Sequence, residues 1–321
     1  MINIFKVDPM THTPFSSEPA GDFLRDKGIV ITDNKADCHL FVSRHFRQLI
    51  PLQLMYGTRK KYLVWTHEPR FDTHFENKVN GFIGLPDVHI MNAYTGDIYL
   101  NNYTRYGRVI DRILPALNAG NFSGFKHKKI AALMIYRNHQ KKWSLKREGE
   151  ELDLCYLRTQ IALEGHKLNK VDIYGRGWPG GISIEDSREQ GWKERKLEIL
   201  KNYHFNLCFE NTNIDYYCSE KIWDSIKAGC LPIYYGKGNK IYEDFPKNSF
   251  LDYCEYETPQ DLFEKIDKME REEFGDRMNL CIEVFNKIYL KRKAEKYYGE
   301  KFDEKILLNI SKKIKEIVNS E

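Results

Sequence analysis

The 321-residue sequence lacks most of the patterns that assign a protein class directly. Its seven cysteines form no Cys-x-x-Cys pair, which disfavours a disulfide framework or a zinc site and predicts buried free thiols in a reducing compartment. No apolar run approaches the ~20 residues that span a bilayer, and the first residues lack the basic and apolar regions of a signal peptide. We therefore expect a cytoplasmic protein without a transmembrane helix.

Charge of one sign is also scarce, because the formal net charge at pH 7 is only +4. This balance gives no support for nucleic-acid binding, which a strong basic excess would indicate. The chain does contain 41% apolar residues, enough to form real cores, and its length is about twice that of an ordinary domain. These totals predict two globular domains.

Short apolar runs recur along the chain and are typical of strands covered on both faces. The first region contains "INIFKV", "CHLFVS", "KYLVWT" and "VHIMNAY"; the second contains "KIAALMIY", "KVDIYG", "FNLCFE", "LPIYYG" and "SFLDY". Amphipathic or charged stretches between the later runs predict helices over 143–168, over "WKERKLEILKNY" and over "SEKIWDSIKAG". Ser219 and Gly229 are the expected N-cap and C-terminal glycine of the last of these helices.

Strands alternating with helices at this spacing predict an α/β protein with doubly wound parallel sheets. A Gly-, Asn- and Lys-rich stretch at 118–129 is the expected linker. The prediction is two Rossmann-like domains, 1–120 and 128–290, facing one another across a cleft, with ligands at the carboxyl ends of the strands. A helical segment, 291–321, follows them.

A stripe of apolar residues at helical spacing marks this last segment: Phe302, Ile306, Ile310, Ile314 and Ile317. We predict a helix that faces a core. The alternative is a lysine-flanked helix that lies peripherally on the inner membrane.

Chemistry-bearing residues concentrate in one stretch, "FNLCFENTNIDYYCSEKIWDSIKAGCLPIYYG", at 205–236. Glu210, Asn211 and Thr212 follow a buried strand, and the helix start near Ser219 has free N–H groups suited to a phosphate. Lys221, in the first turn, is poorly placed for helix stability but well placed for an anion. An ordinary helix start with solvated charges explains the residues equally well.

The 205–236 block resembles the signature of the α-1,3/1,4-fucosyltransferases, of the bacterial type. The matching residues are Phe205, Leu207, Phe209, Glu210, Asn211, Thr212, Tyr217, Ser219, Glu220, Lys221, Pro232, Ile233 and Gly236. The resemblance implies a GT-B fold, GDP-fucose as the donor and inversion at the anomeric carbon. It also implies transfer to an oligosaccharide or glycolipid acceptor, α-1,3 to N-acetylglucosamine in an N-acetyllactosamine-type unit, and final helices that cross back to the first domain.

The same resemblance assigns donor-binding roles. Glu220 and Lys221 are implied to contact the ribose and the diphosphate, with Tyr217 and Asn211 beside them. An arginine on an earlier helix also holds the diphosphate; Arg158 has the expected spacing, and Arg147 and Arg137 are its rivals.

The catalytic base is implied to be Glu68, because "VWTHEPRFD" resembles the Glu-x-Pro segment of the family. Asp97 and Tyr99 lie where the acceptor-side segment is expected. There is no Asp-x-Asp, the usual metal–diphosphate ligand of the other large glycosyltransferase fold, so we expect no metal or other cofactor to be required. Two alternatives stay open: a GT-B transferase for another nucleotide sugar, and an inactive nucleotide-sugar-binding module.

Overall fold

A computed structural model describes residues 1–81, 84–186, 191–295, 297–298 and 302–320 of the chain. The chain divides into two compact units, one formed by Met1–Arg105 with Glu295–Glu321 and the other by Tyr106–Ala294. Each unit contains its own parallel sheet with helices around it.

The first unit begins with six strands and two helices. These are β1 (Ile2–Lys6), α1 (Glu18–Asp26), β2 (Ile29–Thr32), β3 (Leu40–Ser43), α2 (Ile50–Tyr56), β4 (Lys61–Thr66), β5 (Lys78–Val79) and β6 (Val88–Asn92). The sheet order is β2-β1-β3-β4-β6-β5, and all neighbours are parallel except β5 and β6. The four strands predicted from apolar runs in this region are confirmed.

The central strands are covered on both faces, which explains why they appear as unbroken apolar runs. Every residue of β3 is buried, and in β4 only the first residue is not. Phe41 and Tyr62 stack with ring centroids 5.9 Å apart in one cluster that also contains Val64 and Ile90. This core holds β4 and β6 side by side, so that the loops following them emerge at one edge of the sheet.

The described part of the second unit contains seven strands and six α-helices. They are β7 (Ile130–Leu133), α3 (Gln140–Trp143), β8 (Lys146–Arg147), β9 (Glu150–Glu151), α4 (Cys155–Lys167), β10 (Val171–Tyr174), α5 (Trp192–Leu200), β11 (Phe205–Leu207), α6 (Glu220–Ala228), β12 (Leu231–Tyr234), β13 (Leu251–Asp252), α7 (Pro259–Lys268) and α8 (Arg271–Lys293). The main sheet has the order β10-β7-β11-β12-β13, with every pair parallel. The five strands predicted for this region are confirmed.

The long charged helix predicted over 143–168 is wrong in its first half. α3 ends at Trp143, and a hairpin of β8 and β9 precedes α4. The hairpin turns at Glu148 and Gly149, whose φ values of 53° and 86° suit a two-residue turn that follows the twist of its strands. The charged residues fit a helical pattern, but this tight turn decides the local backbone.

The predicted linker, 118–129, lies inside the second unit, and the chain divides after Arg105 instead. The irregular segment directly before residue 118 is hydrogen-bonded to α8. Asn286 donates to the Leu114 carbonyl at 2.9 Å and accepts from the Leu114 N–H at 2.8 Å, and Asn279 binds the backbone three residues later in the same way. Within the polar stretch, the rings of Phe122 and Phe125 pack on Phe274 of α8, so this stretch is part of a packed unit and does not link two domains.

The carboxyl-terminal segment completes the first unit with β14 (Tyr297–Tyr298), β15 (Phe302–Asp303) and α9 (Glu304–Asn319). The expected boundary at 291 falls within α8. All five residues of the apolar stripe are buried, so the core-facing prediction is confirmed and the stripe offers no face to a lipid surface. Within the described ranges, no helix has both the length and the apolarity to cross a membrane.

Candidate functional site

The second sheet has a topological switch point between β7 and β11. The chain runs from β7 to β10 on one side and from β11 to β12 on the other, so α4 and α6 pack on opposite faces of the sheet. Their amino-terminal ends flank a crevice outside the carboxyl ends of the two strands, where open α/β sheets bind ligands. The loop after β11 borders it, because the Leu154 N–H donates to the Asn211 carbonyl at 3.2 Å.

Arg158, on α4, brings a positive charge to this crevice and is only 5% exposed. Its Nη1 donates to the Phe209 carbonyl at 2.9 Å and its Nη2 donates to Asn211 Oδ1 at 2.8 Å, while Nε has no protein partner. Among the described residues, no carboxylate lies within ion-pair distance of the guanidinium. A buried cation with only carbonyl and amide partners is costly, so the arrangement favours an anionic ligand.

Lys221 brings a second cation from the first turn of α6. Its Nζ donates to Glu210 Oε2 at 2.9 Å and to Ser219 Oγ at 2.7 Å. Burial acts to lower the pKa of Lys221, but the carboxylates of Glu210 and Glu220 outweigh burial and hold that pKa above its usual value. Lys221 therefore stays charged, although the guanidinium of Arg158 repels it, and the two cations form one positive site at a helix amino terminus.

The ends of α6 are those predicted from the sequence. Ser219 occupies the N-cap position and Gly229 the C-cap, where its φ of 83° suits a glycine. The Ser219 hydroxyl does not cap the helix backbone, because it accepts from Lys221 instead. No side chain at this position therefore competes with a ligand for the N–H groups of the first turn.

The other predicted donor-site residues surround the crevice in different environments. Asn211 binds Arg158, and Glu220 has a side chain that is 25% exposed in the first turn of α6. Tyr217 is buried at 5% exposure, directly after Tyr216, whose φ of 58° makes a sharp turn. The structure thus places Asn211, Glu220 and Lys221 close to the crevice and packs the ring of Tyr217 inside the unit.

The rival arginines lie at the same end of the sheet but have other partners. Arg137 follows β7, donates to Cys155 Sγ at 3.1 Å and stacks its guanidinium 4.2 Å from the centre of a tryptophan ring. Arg147 lies on the hairpin of β8 and β9, and its side chain is 40% exposed. The direct contact between Arg158 and Asn211 favours Arg158 for the anion site.

A Gly-x-Gly-x-x-Gly spacing occurs at 175–180, directly after β10. The described residues that follow, to 186, form turns rather than the helix start that a dinucleotide-binding fingerprint requires. Gly175 has φ 144°, and a Cβ atom there would lie 2.1 Å from the Met134 carbonyl oxygen. This glycine therefore permits close backbone packing beside β7.

In the first unit, Glu68 lies in the loop after β4, at the carboxyl edge of the sheet, as predicted. Its N–H donates to Thr66 Oγ1 at 3.1 Å, and its carbonyl accepts from the Phe71 N–H at 3.1 Å. The hydroxyl of Tyr94 donates to the next carbonyl, that of Pro69. These contacts hold the backbone of the loop, while the Glu68 side chain is 37% exposed.

His67 is buried between the guanidinium of Arg105 and the carboxylate of Glu68. Its Nε2 lies 2.6 Å from Arg105 Nη2 and 3.4 Å from Glu68 Oε1. Burial, reinforced by the charge of Arg105, lowers the pKa of His67 to about 4. The imidazole is therefore neutral at pH 7 and accepts from Arg105 at Nε2, since a guanidinium can only donate.

This depressed pKa makes the protein sensitive to acid. In the unfolded chain the imidazole, with a pKa of 6.5, becomes protonated at a higher pH than in the folded chain, where its pKa is about 4. The free energy of unfolding therefore decreases as the pH falls from about 6.5 to about 4. Because glutamine does not titrate, we expect the decrease in the free energy of unfolding on acidification to be smaller in His67→Gln than in wild type, by up to about 3 kcal/mol. Urea unfolding at pH 7 and pH 4.5 measures it, with the exposed His139→Gln as control; an unchanged acid loss in His67→Gln would contradict the prediction.

The two residues predicted on the acceptor side lie close to α9 and the loop after β4. Tyr99 is 3% exposed, and its hydroxyl donates to the His67 carbonyl at 2.9 Å, so it supports this loop. Asp97 is half-buried and accepts from the Thr95 hydroxyl, and its backbone carbonyl accepts from Asn309 at 3.1 Å. Burial raises the pKa of Asp97. Contact of either residue with an acceptor stays a prediction.

The sequence analysis missed a polar cluster in the loop after β4. Asp72 is 5% exposed and lies 2.5 Å from His74 Nδ1, while Asn92 Nδ2 donates to Asp72 Oδ2 at 3.0 Å. A carboxylate behind one ring nitrogen fixes the imidazole orientation and leaves Nε2 for other partners. Only the Asp-x-His spacing could have indicated this pair.

Comparison with known proteins places the crevice inside a recognised domain. Residues 140–275 match the model "Glycosyltransferase family 10 (fucosyltransferase) C-term". Over 124 residues the chain is 29% identical to 3-galactosyl-N-acetylglucosaminide 4-alpha-L-fucosyltransferase of Pan troglodytes, covering 38% of this chain and 30% of that protein. Over 118 residues it is 30% identical to 4-galactosyl-N-acetylglucosaminide 3-alpha-L-fucosyltransferase of Homo sapiens, covering 36% of this chain and 30% of that protein. The matched part thus spans less than a third of each relative.

The similarity in structure extends over the whole chain. A crystal structure of an alpha1,3-fucosyltransferase with GDP-fucose superposes with a TM-score of 0.52 at 17% identity, covering 100% of this chain and 91% of that chain. At this identity the likeness shows the fold. The predicted GT-B-like class, with two Rossmann-like domains, is confirmed.

Proposed function

We propose, because residues 140–275 match the model of glycosyltransferase family 10, the fucosyltransferases, that this chain transfers L-fucose from GDP-fucose to a glycan hydroxyl. The acceptor is an N-acetylglucosamine in an N-acetyllactosamine-type unit, and the linkage is α-1,3. Both relatives are named for a galactosyl-N-acetylglucosaminide, and the name of the human one, a 4-galactosyl-N-acetylglucosaminide 3-alpha-L-fucosyltransferase, supports this acceptor and linkage.

The observation that carries the proposal is the buried guanidinium of Arg158 without a carboxylate partner among the described residues. Its neighbour Lys221 is charged, and the amino terminus of α6 adds a positive dipole end. Lys221 already pairs with the carboxylate of Glu210, so a diphosphate chiefly provides the negative charge that Arg158 lacks. The site therefore suits a nucleoside diphosphate leaving group better than a neutral ligand.

Each donor-site residue has a distinct task in this proposal. Arg158 and Lys221 bind the diphosphate oxygens, and Asn211 keeps the guanidinium of Arg158 oriented. Glu220, with its partly exposed carboxylate, accepts hydrogen bonds from the two ribose hydroxyls. Tyr217 packs beneath this surface and supports the loop that precedes α6.

The chemical step is an in-line displacement with inversion at the anomeric carbon. The acceptor oxygen forms a bond to that carbon, the bond from the carbon to the phosphate oxygen breaks, and GDP leaves with the electron pair. Glu68 takes the proton of the acceptor hydroxyl. Arg158 and Lys221 stabilise the negative charge that grows on the leaving phosphate.

This reaction needs no metal, because protein cations neutralise the leaving group. Within the described ranges, no three His, Cys, Asp or Glu side chains are grouped as metal ligands. We expect GDP binding and fucose transfer to continue in the presence of a chelator. Loss of wild-type activity in EDTA, restored by a divalent cation, would overturn this part of the proposal.

Two measurements test the function. Calorimetry should show binding of GDP, with UDP and ADP much weaker; binding of another nucleotide instead would favour a GT-B transferase with a different donor. Labelled GDP-fucose on an acceptor array should show transfer to N-acetyllactosamine-type glycans. Binding of GDP without transfer to any acceptor would favour an inactive binding module.

Removal of the Lys221 ammonium weakens donor binding. Loss of one charge-assisted contact costs about 1.5–3 kcal/mol, so we expect Lys221→Ala to weaken GDP binding roughly 10–100-fold. Calorimetry measures the change, and thermal unfolding shows whether the variant is folded. The matched control is Lys237→Ala, an exposed lysine beyond β12. Unchanged affinity in a folded Lys221→Ala variant would remove Lys221 from the site.

A further inference from the structure

A buried lysine outside the donor site lies between two carboxylates of α6. Lys196, on α5, has Nζ 2.7 Å from Asp224 Oδ2 and 3.9 Å from Glu220 Oε1, and its side chain is 7% exposed. Glu220 and Asp224 are four residues apart and therefore share one face of the helix. The lysine thus neutralises charge directly behind the first turn of α6.

The two carboxylates use this cation differently. Asp224 is 12% exposed and forms the short hydrogen bond, whereas Glu220 is 25% exposed and lies beyond hydrogen-bond distance from the ammonium. Burial raises the pKa of Asp224 and the charge of Glu220 adds to this, while Lys196 opposes both. The hydrogen bond holds Lys196 at Asp224, and its charge still attracts Glu220.

We propose that Lys196 is a positioning residue for nucleotide recognition: it cancels the charge of Asp224 and keeps the Glu220 carboxylate directed at the vicinal ribose hydroxyls. This inference rests on the proposed function of the site. Without the lysine, Asp224 repels Glu220 along the helix face, because like charges four residues apart are unfavourable. The Glu220 oxygens then no longer meet both hydroxyls.

The test compares GDP with 2′,3′-dideoxy-GDP, which lacks those hydroxyls. Wild type should bind GDP about 10–100-fold more tightly than the dideoxy nucleotide, as expected for charge-assisted hydrogen bonds to Glu220. In Lys196→Gln, which still donates to Asp224 but carries no charge, this ratio should fall to about threefold or less. The affinity for dideoxy-GDP should stay within about threefold of wild type. Calorimetry measures both ligands.

Three further variants make the result specific. Glu220→Gln should lower the ratio as Lys196→Gln does, because both act on the same hydroxyl contacts. Lys196→Arg should restore it. Lys193→Met, an exposed lysine on the same helix, is the matched control and should bind both nucleotides as wild type does.

The possible results distinguish a failure of the proposed role of Lys196 from a failure of the proposed function of the site. A wild-type ratio in folded Lys196→Gln, or an equal loss of affinity for both nucleotides, overturns the role of Lys196. If that variant does not fold, Lys196→Met/Asp224→Glu takes its place, because the longer glutamate reaches more water and still keeps a negative charge four residues from Glu220. An undiminished ratio in this variant has the same meaning. Failure of wild type to bind GDP counts instead against the proposed function.

Discussion

We expect Glu68→Gln to lower kcat for fucose transfer by roughly 10²–10⁴, while GDP affinity changes by less than about threefold. Glutamine keeps the shape of the side chain but cannot take the proton of the acceptor hydroxyl. The backbone of the loop should not change, because its hydrogen bonds to Thr66 and Phe71 involve the main chain of Glu68. Steady-state kinetics with GDP-fucose, together with GDP calorimetry, measures both quantities.

Glu76→Gln is the matched control, because Glu76 is an exposed glutamate of the same loop. It should leave kcat within about twofold of wild type, as expected for a solvated surface carboxylate. A near wild-type rate in Glu68→Gln would place the base elsewhere. Asp97 would then be tested first, followed by His74, whose ring is oriented by Asp72.

Replacement of Arg158 should weaken donor binding strongly and leave the stability of the protein nearly unchanged. We expect Arg158→Met to weaken GDP binding about 30- to 1000-fold, because truncation of one member of a buried charge pair costs about 2–4 kcal/mol. The free energy of unfolding should stay within about 1 kcal/mol of wild type. The variant loses hydrogen bonds to Phe209 and Asn211, but it also loses a buried charge without a carboxylate partner in the described structure.

Calorimetry and urea unfolding of the same preparation separate these two effects. Arg147→Met, on the exposed hairpin, should leave both the GDP affinity and the unfolding free energy close to wild type. If Arg147→Met or Arg137→Met loses GDP affinity and Arg158→Met does not, the diphosphate contact belongs to that rival. A large loss of stability in Arg158→Met would mean that the guanidinium is structural.

The strands could be predicted because strands that are buried on both faces have unbroken runs of apolar residues in the sequence. Runs such as "KYLVWT" and "FNLCFE" contain β4 and β11, and Glu68 and Glu210, two and three positions beyond the ends of these strands, lie at the carboxyl edges of their sheets. The start and end of α6 were predictable for a similar reason. Ser219 occupies the N-cap position, although its hydroxyl accepts from Lys221, and Gly229 takes the left-handed backbone that ends the helix.

Two mispredicted segments show where local patterns are insufficient. The charged residues of 143–154 can form a helix by periodicity, but Gly149 and Glu148 adopt a turn that pairs β8 with β9. The polar segment 118–129 was interpreted as a linker, yet it lies inside the second unit, and Asn279 and Asn286 of α8 bind the backbone directly before it. In both cases the deciding contacts have no periodic signal.

The sequence by itself determined the contacts of the donor site that lie close together along the chain. Glu210 meets Lys221 across eleven positions, because these residues lie near the two ends of the single loop that joins β11 to α6. The tertiary structure alone decided that Arg158 reaches Asn211 across 53 positions and that Lys196 reaches Asp224 across 28. These pairs form only when α4 and α5 pack on the sheet, and the choice of partner there depends on shape and burial, which periodicity and spacing do not encode.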